Sequence, residues 1–169
     1  DIGTIGSFFE ANMDLTNEVP KFNMFSSSPI YTRPRMLPAS KINGSFVNKA
    51  VFGDGSIIMA DKIEHTLVGN RTRIDKGSTV IRSYIMGADY YETIEDILDN
   101  EQKNIPSIGV GKFCYIENAI LDKNCHIGNN VRIIGNKNLP DGDFSTYSIK
   151  DGIIVVKKDA IIKDGTVIP

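Results

Sequence analysis

Apolar residues fall along this chain in three different rhythms. From Thr4 to Leu15 they sit at positions 5, 8, 9, 13 and 15, mostly one face of a helix, with Thr4 placed to cap it. Between Glu18 and Lys41 that rhythm stops, and Pro20, Pro29, Pro34 and Pro38 interrupt a polar stretch that contains Ser26-Ser27-Ser28. Proline removes a backbone donor and blocks helix continuation, so this zone predicts an extended linker. From Ile42 onward apolar residues recur at Phe46, Val51, Ile57, Ile63, Val68, Ile74, Val80 and Ile85, in steps of five or six. The same beat returns at Ile116, Leu121, Ile127 and Ile133, and again at Val155, Ile161 and Val167. Turn-forming pairs such as Gly69-Asn70, Lys76-Gly77, Gly128-Asn129 and Asp164-Gly165 lie between the anchors.

Neither a helix nor an alternating strand repeats every six residues. An apolar anchor per hexad, with a turn between, predicts a parallel β-helix in which three short strands make one triangular coil and the anchors stack inward. The fold class is therefore mainly β: an N-terminal helix and extended linker over residues 1–41, then a β-helix over residues 42–169. Two stretches break the beat. Residues 86–107 predict an extruded loop with a short helix near Tyr90–Asp99, and residues 135–150, with Pro140-Asp141-Gly142-Asp143, predict a second loop.

Composition narrows the function classes. The chain has 169 residues, a formal charge of -2 and 24% charged residues, which fits a globular domain. Five acids and one lysine lie in residues 92–103, a net of -4 that leaves the rest of the chain at +2. There is no excess of Lys and Arg to drive binding to nucleic acid, and the longest apolar runs are too short to span a bilayer. The mildly basic body is compatible with a small anionic ligand. Residue 1 is Asp, and no signal core follows, so the reading is of a chain that starts inside a larger coding sequence or after processing. Two cysteines, Cys114 and Cys125, make a poor disulfide framework or metal site and predict small core or corner residues in a reducing, cytoplasmic setting.

Particular residues invite chemistry. His65 and His126 matter because hexapeptide-repeat acyltransferases use a histidine as general base. Both fall inside regular hexads rather than in an extruded loop, so outward-facing repeat residues are expected. Arg71, Arg73, Lys76 and Arg82 recur along successive hexads and read as solvated corners. Tyr90 and Tyr91 read as anchors that pack the loop onto the coil. Gly109-Val110-Gly111 lies within a repeat and lacks the strand–loop–helix context of a phosphate-binding loop.

The segments Asp1-Ile2-Gly3-Thr4, Pro29-Ile30-Tyr31-Thr32-Arg33-Pro34-Arg35-Met36-Leu37-Pro38, Met86-Gly87-Ala88-Asp89-Tyr90-Tyr91-Glu92-Thr93 and Ile120-Leu121-Asp122-Lys123-Asn124 resemble the C-terminal part of glucose-1-phosphate adenylyltransferase (ADP-glucose pyrophosphorylase), plant and cyanobacterial type. The resemblance covers essentially the whole chain. It implies a left-handed β-helix used in assembly and regulation of a nucleotidyltransferase that makes ADP-glucose and diphosphate from ATP and glucose 1-phosphate, for glycogen or starch. The catalytic nucleotide-binding domain would lie outside this chain, so the chain alone is expected to hold no catalytic residue.

The resemblance also implies site residues. Asp1 matches a carboxylate that, with one in the missing domain, would hold Mg²⁺ against the phosphates. Lys123 and Lys150 match lysines that bind phosphorylated activators such as 3-phosphoglycerate, and Arg35 matches an anion-binding arginine in the same region. The expected partners are self or homologous subunits in a tetramer and a phosphorylated effector, without nucleic acid or membrane. The expected location is the cytoplasm, or the plastid in a plant. The runner-up readings are a hexapeptide-repeat acyltransferase and a stand-alone β-helix scaffold.

Overall fold

A strand of two to four residues buries one or two side chains, and holds only if strands above and below complete its hydrogen bonds. The structure, a computed structural model, describes residues 2–28 and 30–169 and is built on that rule. Helix α1 (Ile5–Asp14) comes first, and the linker after it leads into the coils. The first coil holds β1 (Lys41–Ile42) and β2 (Phe46–Phe52), and the second holds β3 (Ile57–Ile58) and β4 (Lys62–Val68). The third holds β5 (Arg73–Ile74), β6 (Thr79–Ile81) and β7 (Tyr84–Ile85), after which an insertion carries α2 (Ile94–Gln102). The fourth holds β8 (Gly109–Val110), β9 (Tyr115–Glu117) and β10 (Ala119–Leu121). The fifth holds β11 (His126–Ile127) and β12 (Arg132–Ile134) and, after a hairpin of β13 (Gly142–Asp143) and β14 (Tyr147–Lys150), closes with β15 (Ile153–Val156). Strands β16 (Ile161–Ile162) and β17 (Val167–Ile168) begin a sixth.

Register makes the three faces explicit. On face one Ile42, Ile58, Ile74, Val110, Ile127 and Ile162 stand in line through parallel pairing. Face two aligns Val47, Ile63, Val80, Ile116, Ile133 and Ile168. Face three aligns Phe52, Val68, Ile85, Leu121 and Val156. From the second coil onward these columns are the core. The corners turn through residues of positive φ, among them His65, Arg82 and Asn118 between faces two and three, and Arg71, Asn124 and Asp159 between faces three and one, as does Asp151 in the turn joining β14 to β15. A residue at such a corner is fixed by its backbone conformation before its side chain is considered.

The columns shift the expected anchors at several places. Phe46, Val51, Ile57, Val155, Ile161 and Val167 are the outward neighbours of the true inward residues Val47, Phe52, Ile58, Val156, Ile162 and Ile168. Each site holds two adjacent apolar residues, and strand side chains alternate, so a one-residue slip exchanges inside for outside without changing the period. On face three the outer residues have a cover of their own: Leu67, Tyr84, Ile120 and Val155 pack beneath Phe8, Phe9 and Met13 of α1. Thr4 caps that helix in a reciprocal box with Ser7, and Arg82 ties it to the coil by a 2.6 Å ion pair to Glu10.

The second interruption holds more than a loop. Strand β14 pairs antiparallel with β15, Tyr147 opposite Val156 and Lys150 opposite Ile153, and β13 pairs antiparallel with β14. This hairpin covers the edge that face three would otherwise present to solvent.

Candidate cationic corner

Leu121 and Val156 are register partners on face three, so the residues that follow them stack at the same corner one coil apart. Two positions on are Lys123 and Lys158, and three on are Asn124 and Asp159. Adjacent strands lie about 4.8 Å apart, which brings two ammonium groups close enough to need a counter-charge. Asp89, at the root of the first insertion, supplies it: its carboxylate takes Lys123 Nζ at 2.5 Å and Lys158 Nζ at 3.5 Å. The hydrogen bond from Lys123 holds the Asp89 carboxyl below the ordinary carboxylate range.

Asn124 sets this geometry. Buried and in the left-handed region, at φ 58°, it receives the Asp89 backbone N–H on Oδ1 at 2.9 Å and donates from Nδ2 to Asp159 at 3.0 Å. Its own N–H donates to the Gly87 carbonyl at 3.1 Å. One side chain thus knots three successive coils at the place where the insertion leaves the ladder. Gly87 is required there, with φ 83°, because a Cβ would collide with the Asn70 carbonyl. Arg71, expected on a solvated corner, braces the same root by donating to the Ala88 carbonyl at 3.3 Å and lying over the Tyr91 ring at 5.7 Å. The Tyr91 hydroxyl donates to the Gly55 carbonyl at 2.8 Å.

The other expected cations lie elsewhere. Lys150 sits at the end of β14, paired with Asp141 at 3.1 Å and level with the start of β15, whereas Lys158 follows the end of that strand. Lys157, beside Lys158 in sequence, turns instead to Asp143 at 2.8 Å. Arg35 is exposed on the linker with no acidic partner among the described residues. Asp1 lies outside the described residues, and among those described no three His, Cys, Asp or Glu side chains gather to hold a metal ion. Asp89, Asn124 and Lys158 were not singled out from sequence. For Lys158 the signal was present as a lysine two residues after each of two face-three anchors, Leu121 and Val156, readable only once those anchors are in the correct frame.

His126 faces outward and its Nδ1 lies 2.6 Å from the Pro106 carbonyl, so the ring fastens the end of the insertion. His65 occupies a corner at φ 48° with Nε2 buried and without a hydrogen-bond partner among the described residues. His126 is engaged by a carbonyl; His65 lies along an open groove beside α1, lined also by Glu10, Asp14 and Arg82, but its Nε2 is turned inward. Cys114 stands where the preceding coil has Ser78, and its Sγ contacts the Gly128 carbonyl at 3.0 Å much as Ser78 donates to Gly111 at 2.7 Å. Cys125 lies on a different corner, where burial pushes its thiol up to about 12. Both thiols are free and protonated at neutral pH, and behave as small corner residues. An open groove of about 720 Å³ lies beneath the C-terminal end of α2 on face one; it interleaves Arg73, Lys103, Lys112 and Lys163 with Asp75, Glu101 and Asp164, and so selects neither sign of charge.

Coils of hexads with one apolar column per face, and a paired-lysine corner beside an extruded loop, define a parallel β-helix domain of the hexapeptide-repeat class. Within that class, the family model for the GLGC left-handed parallel beta-helix domain matches residues 35–167, and the chain belongs to that family. The chain is also 46% identical over 173 aligned residues to the glucose-1-phosphate adenylyltransferase small subunit, chloroplastic/amyloplastic, of Triticum aestivum. That similarity covers 99% of this chain and 36% of the wheat protein, so the chain spans about a third of the length of this relative. No helix among the described residues is long and apolar enough to cross a membrane.

Proposed function

We propose that this chain is the assembly and regulatory C-terminal part of a glucose-1-phosphate adenylyltransferase, acting in the cytoplasm or, in a plant, in the plastid. The wheat relative's name and the family membership support the parent activity, ADP-glucose and diphosphate formed from ATP and glucose 1-phosphate; the role of Asp1 in holding Mg²⁺ rests on the resemblance alone. Uncovered faces and an open first coil, where Ile42, Phe46 and Val47 are exposed, support association with other subunits. The observation that carries the regulatory reading is the convergence of Lys123 and Lys158 on one carboxylate. Two half-exposed ammonium groups on a rigid corner suit a phosphorylated metabolite, whose doubly charged head outcompetes a single carboxylate for them. Binding there draws on the root of the insertion and shifts the population toward a more active state. Lys150 and Arg35 are assigned secondary roles in the same attraction, because they stand apart from the pair.

The test is the activation curve of the assembled enzyme. Lys123→Ala and Lys158→Ala should each raise the half-activating concentration of 3-phosphoglycerate about tenfold, more than they lower turnover without activator, and Lys150→Ala should raise it less. Equal loss of activated and unactivated turnover in the Lys123 and Lys158 variants would sink the regulatory assignment.

A further inference from the structure

The carboxylate between the two lysines sits where the proposed anion would have to sit. We infer that Asp89 is a built-in competitor: its side chain occupies the Lys123–Lys158 corner in the absence of ligand, and a phosphate-bearing ligand binds by displacing it. This inference rests on the anion-site reading above. Three observations support it. Asp89 bridges cations from two coils, with Lys123 at 2.5 Å and Lys158 at 3.5 Å, so it fills the position from which an anion touches both. Its backbone is held by other means, through its N–H to Asn124 Oδ1 at 2.9 Å and through the neighbouring Ala88, which donates to the Asn70 carbonyl at 2.9 Å and accepts from Arg71 at 3.3 Å. The carboxylate can therefore swing away while the root of the insertion stays in place. Two acids next to these lysines in sequence are engaged elsewhere, Asp122 on the Lys123 backbone N–H at 2.7 Å and Asp159 on Asn124, so among the described residues only Asp89 pairs with the two ammonium groups.

The charge balance sets the direction. Two lysines and one aspartate leave the corner at +1, and a phosphate monoester brings about -1.5 to -2 at neutral pH. Losing the Asp89 contacts is a small penalty, because the pair is partly exposed. The device sets a threshold: it keeps the corner closed to weak, singly charged carboxylates and opens it to phosphate.

The experiment titrates the intact 169-residue chain with inorganic phosphate by calorimetry, using circular dichroism to confirm that each variant is folded. Asp89→Asn should bind phosphate about three- to tenfold more tightly than the unaltered chain. Asp122→Asn makes the same charge change next to Lys123, and its amide oxygen can still accept the Lys123 N–H, so it should gain clearly less. Equal tightening in the two variants reduces Asp89 to a contributor to the general field and overturns the inference. Lys123→Ala separates the layers. If it abolishes binding while Asp89→Asn leaves affinity unchanged, the anion site stands and the competitor falls. If it leaves phosphate binding unchanged, both fall.

Discussion

From Ile58 to Ile74 the chain climbs one rung of face one in 16 residues, and from Ile74 to Val110 it climbs the next in 36. The rungs are alike in register, yet the chain reaches them in unlike ways. The short path is almost all ladder, with its apolar column sealed inside. The long path leaves at Gly87, forms α2 with no buried residue, and returns at Ile108. A closed ladder tolerates the detour because lengthening a surface loop adds little closure entropy when both ends are pinned. Rigidity belongs to the columns, then, and adjustability to the insertion, whose root meets the paired lysines.

The largest expected effect breaks the ladder side of this contrast. Ile58 and Ile57 are adjacent and chemically identical, but Ile58 is 0% exposed and Ile57 is 43% exposed. Ile58→Ala should lower stability by about 2–5 kcal/mol, and Ile57→Ala by less than about 1 kcal/mol, as read from denaturant unfolding. Comparable losses in the two would mean that the inward register assigned here is wrong.

A middling effect sharpens the insertion side. The Glu92 carboxylate takes Asn100 Nδ2 at 2.9 Å on one oxygen and the Ile108 N–H at 2.9 Å on the other, which ties α2 and the returning strand to a single side chain. Glu92→Ala should loosen the insertion by about 1–2 kcal/mol, seen as faster amide exchange across Ile94–Gln102, with exchange in the face-two strands unchanged. Faster exchange in both regions would show that insertion and ladder open as one unit.

The same division explains what the sequence made legible. A six-residue period is a property of the ladder as a whole, so the parallel β-helix, the leading helix and both interruptions could be read from spacing. The frame within a hexad could not be read wherever two apolar residues stood together, as at Ile161-Ile162 and Val167-Ile168, since alternation alone does not say which one faces in. That slip hid the outer column of Leu67, Tyr84, Ile120 and Val155, which has the same period as the inner one and is distinguished only by α1 lying over it. It also hid Lys158, whose relation to Lys123 depends on counting from Val156 and not from Val155. Asp89 carried no repeat signal at all: its role arises from an insertion folding back onto a corner, a contact across 34 residues that no local spacing encodes.

The smallest effect is a dependence on pH, and it separates the two regions without mutating the ladder. The cap of α2 is reciprocal: Thr93 donates its N–H and its hydroxyl to the Asp96 carboxylate, each at 2.8 Å, and the Thr93 hydroxyl oxygen receives the Asp96 N–H at 3.1 Å. Those bonds, with the Thr93 backbone N–H foremost, hold the Asp96 carboxyl below its ordinary value of 3.8. A depressed folded pKa means that the cap's contribution is complete above the ordinary value and is lost as pH falls through the lower, folded one. Protection of the α2 amides, corrected for intrinsic exchange, should therefore decline only below about pH 4. The Ile63, Val80, Ile116 and Ile133 column contains no titratable group, and its protection should stay flat over that range. Asp96→Asn removes the titrating carboxyl, so the acid decline in α2 should flatten. If the decline persists in that variant, control of the insertion passes from the cap to its root, where Asp89 is shifted in the same direction by Lys123.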